Sequence, residues 1–125
     1  MKADSTLVLQ NINFYPNQHY PLSGSYPSIV ALLHTLQQNP TLKIQIRGFV
    51  CCLPYSQFDG VDDDTYTQDL STQRAKYIYE YLVAHGISAD RLTYQGFGGR
   101  HPLVKEVTDV DRTTNRRVEI KILSR

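Results

Sequence analysis

The chain has 125 residues, 41% apolar and 20% charged, with a formal net charge of +1. That length suits one domain around one core, and so even a balance excludes a protein drawn to nucleic acid or membrane by its overall charge. No apolar run approaches the roughly 20 residues that span a bilayer as a helix. Met1-Lys2-Ala3-Asp4 opens no apolar export segment, so the sequence reads either as cytosolic or as a domain excised from a longer exported protein.

In chain order, "TLVLQNINFYP" (Thr6 to Pro16) alternates and predicts a first strand, followed by a loop at Pro16, Asn17 and Pro21. Ile29, Leu32, Leu33 and Leu36 recur at helical spacing, so a helix is expected from Ser25 to Asn39, stopped by Asn39-Pro40. Leu42 to Val50 alternates Leu42, Ile44 and Ile46 against Lys43, Gln45 and Arg47, a strand with one buried and one wet face. Leu53 to Gln68 has no period and reads as a long loop, of the kind that is functional or mobile in a compact domain. A second helix is expected from Gln68 to His85, with Ala75, Ile78, Tyr79, Leu82 and Val83 on its apolar face and Gly86 as its stop. Arg91 to Gly98 is a third strand, Gly98 to Thr114 a loop, and Asn115 to Leu123 a last strand alternating Val118, Ile120 and Ile122 against Arg117, Glu119 and Lys121. The order β-α-β-α-β-β predicts an α/β fold, two helices on one face of a four-stranded sheet with the other face wet.

Four residue groups carry the candidate chemistry. Cys51 and Cys52 are the only cysteines and are adjacent, a poor framework for a disulfide and, with no nearby His, for zinc. They read as small residues at a strand end, with a reactive thiol or a replaced ligand position as alternatives. Asp59, Asp62, Asp63 and Asp64 crowd one stretch, which reads as a solvated loop and lacks the alternating spacing of a calcium loop. Arg112, Arg116, Arg117, Lys121 and Arg125 crowd the C-terminus, but they interleave with apolar residues as a strand does, so no nucleic-acid partner is expected. Arg116 and Arg117 point to opposite faces, one of them buried against loop carbonyls. Arg74 stands at the start of the second helix, where unpaired N–H groups already make a cation unfavourable. It is either a surface partner of Asp69 or Glu80, or it waits for an anion. His19, His34, His85 and His101 are scattered, and with no nucleophile–base pair, metal cluster or cofactor motif no enzyme is expected.

"LSTQRAKYIYEYLVAHGISADRLTYQGFG", then "HPLV", then "DRTTNRRVEIKI", together with "NINFYPN", "LQQNP" and "LKIQIRG" upstream, resembles the OmpA-like C-terminal domain of the peptidoglycan-associated lipoprotein and MotB type. The likeness covers nearly the whole chain, so residues 1–125 are expected to be a single such domain. It implies a mixed sheet under two helices and non-covalent binding of the diaminopimelate stem peptide of peptidoglycan, in the periplasm, on a protein anchored to the outer membrane or cell envelope through parts outside this chain. It implies no cofactor, and a dimer is compatible with it. In the family the ligand carboxylate meets the L-S-x-x-R-A arginine, here Arg74. A guanidinium fork beside helix N–H groups suits a carboxylate. The ligand ammonium meets an aspartate in a G-H-T-D motif after the second strand. Here that motif reads Gly48-Phe49-Val50-Cys51, so Cys51 replaces the acid; Asn17 replaces a further aspartate and Thr67 an asparagine. The expected site is thus Arg74, Cys51, Asn17, Thr67, Phe49 and Asp69, with Arg74 open beside Cys51. Loss of a charge-assisted bond of roughly 1.5–3 kcal/mol weakens binding about 10- to 150-fold. A Cys51 thiolate, or a carboxylate from Asp59, Asp62, Asp63, Asp64 or Asp69, would substitute. The competing expectations are a different anionic ligand, or an interaction module that has lost the wall.

Overall fold

A computed structural model describes residues 6–51, 59–60, 62, 64–99 and 108–124, with only the main chain at 6–11, 109, 111 and 113. The elements are β1 (Thr6–Asn13), α1 (Tyr26–Gln38), β2 (Lys43–Gly48), α2 (Leu70–Ala84), β3 (Leu92–Gly96), α3 (Asp109–Asn115) and β4 (Arg117–Ser124). The sheet order is β1-β4-β2-β3, with β2 and β3 parallel and the other pairs antiparallel. This is the expected mixed sheet, and α2 is the crossover that a parallel pair requires.

The core lies between the two long helices and the sheet. Ile29, Leu32, Leu33 and Leu36 of α1 and Ala75, Ile78 and Leu82 of α2 meet Ile44, Ile46, Val118, Ile120 and Ile122. Val83, expected on that face, is 39% exposed. It lies one step beyond Leu82, on the shoulder of the stripe. The short helix α3 falls where a loop was expected. Its sole large apolar residue, Val110, is 74% exposed, so it has no apolar stripe for periodicity to reveal.

The opposite face of the sheet is not wet throughout. Phe49, Arg117 and Glu119 are buried there. Arg117 donates to Glu119 Oε2 from Nε and Nη2, both at 2.8 Å, and its Cζ lies 3.9 Å from the Phe49 ring centroid. Phe49 stacks on Phe97, which in turn carries Arg47. Strand alternation told charged from apolar positions correctly, but two aromatic rings cover the charges from solvent.

One close approach positions the site. Gly48 and Gly96 are register partners in β2 and β3. A Cβ at Gly48 would lie 1.9 Å from the Ser71 carbonyl oxygen, and one at Gly96 would lie 2.3–2.5 Å from atoms of Ser71 and Thr72. The first turn of α2 therefore rests on bare backbone at the strand ends, where only glycine leaves room.

Candidate ligand-binding site

The N-terminus of α2 is capped from a distance. Asp69 occupies the cap position but makes no side-chain cap bond. Asp59 does this work: its Oδ1 accepts from the Ser71 and Gly60 amides at 2.9 and 2.8 Å, and its Oδ2 from the Ser71 hydroxyl at 2.5 Å. The same hydroxyl accepts from the Gly98 amide at 2.9 Å. A carboxylate against helix amides is favoured by both hydrogen bonding and the helix dipole.

Arg74, one turn further on, is fully buried, which corrects the expectation of an open side chain. Its guanidinium donates from Nε to the Gln18 carbonyl (2.9 Å), from Nη1 to the Phe49 carbonyl (3.0 Å) and from Nη2 to the Tyr15 carbonyl (3.0 Å). Its Cζ stands 5.2 Å from the Phe14 ring centroid. Among the described residues it has no carboxylate within ion-pair distance; Glu80 pairs with Lys76 instead, and Asp69 accepts from Thr67 and Gln73. Burial, then repulsion by Arg116, lowers its pKa to about 9 against the opposing pull of Asp59 and Asp62. It remains a cation at neutral pH.

Two of the acids expected in a solvated loop are buried: Asp59 and Asp62 are 5% and 0% exposed, while Asp64 is exposed. The Asp62 amide donates to the Thr67 carbonyl at 3.0 Å, and the Tyr66 amide donates to the Asp62 carbonyl at 2.8 Å. Its Oδ1 accepts from the Asp64 amide at 2.8 Å, and its Oδ2 lies 2.6 Å from His19 Nδ1. Asp63 lies outside the described residues. In the sequence Asp62 is one of several acids and His19 one of four scattered histidines; their approach spans 43 residues and leaves no local pattern.

The remaining expected residues divide. Phe49 contributes its carbonyl to Arg74, while its ring faces the other side of the sheet. Cys51 follows the end of β2, as expected, but is held in a disulfide, which corrects the reading of the two cysteines as a poor disulfide framework and rules out a free thiol or thiolate here; the other cysteine, Cys52, lies outside the described residues. A sulfur so bonded carries no charge and cannot replace a carboxylate. It lies 3.2 Å from Arg116 Nη1, and Arg116 Nε donates to the Phe14 carbonyl. Arg116 is thus bonded to a loop carbonyl, and Arg117 is the more deeply buried of the two. Asn17 is exposed, with a φ of 57° at the turn of the loop after β1. Thr67 is exposed, and its hydroxyl donates to Asp69 at 2.5 Å. Burial raises the Asp69 pKa, but hydrogen bonds from Thr67 and Gln73 outweigh it and hold the carboxyl below its ordinary value. Neither Asn17, Thr67 nor Asp69 bonds to Arg74.

Comparison with known proteins accords with this frame. The model of the OmpA family matches residues 14–116. Outer membrane porin F of Pseudomonas fluorescens is 30% identical over 79% of the chain, and the peptidoglycan-binding protein ArfA of Mycobacterium bovis 29% over 81%. In each case the aligned region is 28% of the relative's own length. The periplasmic domain of Helicobacter pylori MotB has the same fold, with a TM-score of 0.72 and 19% identity, covering 95% of this chain and 72% of that one.

Proposed function

The chain belongs to the OmpA family, and from that premise we propose that it binds the diaminopimelate stem peptide of peptidoglycan without covalent chemistry. It would serve as a domain that ties a longer envelope protein to the wall on the periplasmic side. The observation that carries this reading is Arg74, the arginine of the L-S-x-x-R-A motif, buried as a cation with neutral carbonyls for partners. Carbonyl dipoles solvate a guanidinium without neutralising it, so a ligand carboxylate gains a full charge–charge contact by replacing them. ArfA is named for binding peptidoglycan, which supports the same ligand here.

A second reading has its own support. Each nitrogen of Arg74 already has an acceptor, which suits an interaction module without wall affinity. Co-sedimentation with purified sacculi separates the two. The wall reading expects the wild type to sediment, Arg74→Ala to stay in solution, and free diaminopimelate to compete. Equal, poor sedimentation of both proteins would leave the interaction module. Cys51→Asp, which restores an acid where the family has one, is expected to raise wall affinity about 10-fold or more; no gain would show that Cys51 lies away from the ligand's ammonium.

A further inference from the structure

Arg74 is fully buried, so an anion reaches its charge only if part of the protein moves. Two of the three carbonyls that cover it, those of Tyr15 and Gln18, belong to one loop, residues 14–22 after β1; the third, that of Phe49, follows the end of β2. The loop carbonyls take Nε and Nη2, which form one edge of the guanidinium and donate side by side. Arg117 holds Glu119 with the same edge. At Arg74 two neutral oxygens therefore stand where the two oxygens of a carboxylate would bind. Nη1, on Phe49, is not part of that edge.

We propose that loop 14–22 is a lid over Arg74, latched by His19 on Asp62 and by Tyr20 on Asp64, and that a carboxylate ligand binds by displacing it. The loop is a surface layer, with residues 15–17 and 20 exposed. Its base is firm: Phe14 bridges to Pro21, the Leu22 amide donates to the Asn13 carbonyl at 2.8 Å, and the Phe14 carbonyl accepts from Arg116. Its interior is loosely bonded. The Tyr15 amide lies 3.4 Å from the Tyr20 carbonyl and the Gln18 amide 3.3 Å from the Tyr15 carbonyl, longer than usual main-chain bonds. Apart from Arg74, side chains hold the tip. His19 Nδ1 lies 2.6 Å from Asp62 Oδ2, the Tyr20 hydroxyl donates to Asp64 at 3.2 Å, and the His19 ring packs beside Tyr20 and Tyr77. The far side of the latch is fixed, since the Asp62 main chain bonds to Thr67 and Tyr66. Exchanging two neutral oxygens for a carboxylate strengthens the bonds to the fork, and breaking the latch is the cost. The latch thus sets the fraction of molecules with an open fork, and apparent affinity scales with that fraction.

The lid regulates the proposed wall-binding site and so rests on that reading, but its motion is measured without a ligand. In the whole chain, NMR reads the exchange of the Arg74 Nε–H with water, which is slow while the Gln18 carbonyl covers it. Combining His19→Ala with Tyr20→Phe is expected to speed that exchange roughly 10-fold or more and to tighten diaminopimelate binding by the same factor; Glu80→Gln is expected to change neither. Tyr20→Phe alone, which removes one exposed hydrogen bond and keeps the ring, is expected to give about 2- to 10-fold and decides the matter if the double variant does not fold. Exchange unchanged in the latch variants, or faster exchange with diaminopimelate bound no more tightly than by the wild type, overturns the lid. Wild-type sedimentation with sacculi alongside unchanged exchange leaves the wall reading standing without it. Faster exchange in a chain that binds neither diaminopimelate nor sacculi supports the latched loop and overturns the wall reading.

Discussion

Arg117 and Arg74 are both buried guanidiniums, on opposite sides of one sheet, and they differ in what neutralises them. Arg117 has a carboxylate at 2.8 Å from two of its nitrogens and an aromatic ring 3.9 Å beneath. Its charge is matched within the molecule, and the pair closes the open face of the sheet. Arg74 has three carbonyls and no carboxylate among the described residues. A buried pair and a buried unmatched charge have different consequences. The first is lost only with its partner; the second is held at a cost and gains by meeting an anion.

The largest expected effect tests the Arg117 side. Arg117→Met leaves Glu119 buried and unpaired, and is expected to lose roughly 3–5 kcal/mol in chemical denaturation. Arg117→Met with Glu119→Met is expected to recover most of that loss, since an apolar pair can replace a buried ion pair. If the double variant stays as unstable as the single one, the pair does more than match charge. Arg74→Met is the counterpart. It leaves three carbonyls unbonded but also removes a charge that was costly to bury, so the loss is expected to be smaller, about 1–3 kcal/mol. Denaturation midpoints at equal m-value compare the two, and a loss as large as that of Arg117 would mean Arg74 is mainly structural. The smallest effect is expected at Asn17, whose φ of 57° suits glycine. Asn17→Gly should leave stability within about 1 kcal/mol and sedimentation with sacculi unchanged. Lost sedimentation would make Asn17 a ligand contact rather than a turn residue.

Most of the fold was legible because its signals are local. The spacing of Ile29, Leu32, Leu33 and Leu36 defines α1, and the alternation around Ile44, Ile46, Ile120 and Ile122 defines the two central strands. The site was legible only in part. Arg74 stood out by its motif and by its unfavourable place at a helix start. Its partners did not, because three main-chain carbonyls have no residue signature and come from loops 25 to 59 positions away. Asp59 looked like one of four equivalent acids, yet it caps a helix that begins beyond it.

The order and kind of the four strands and the two long helices, most of their apolar positions and the family were determined by the sequence alone. These follow from side-chain period and from motifs read along the chain, and neither depends on distant contacts. Only the tertiary structure decided which charges are buried, which are paired and which are left over. Burial and pairing depend on where loops distant in sequence meet. His19 reaches Asp62 across 43 residues, and Gln18 reaches Arg74 across 56, while Gly48 and Gly96 leave the room for α2 to lie against the ends of the strands.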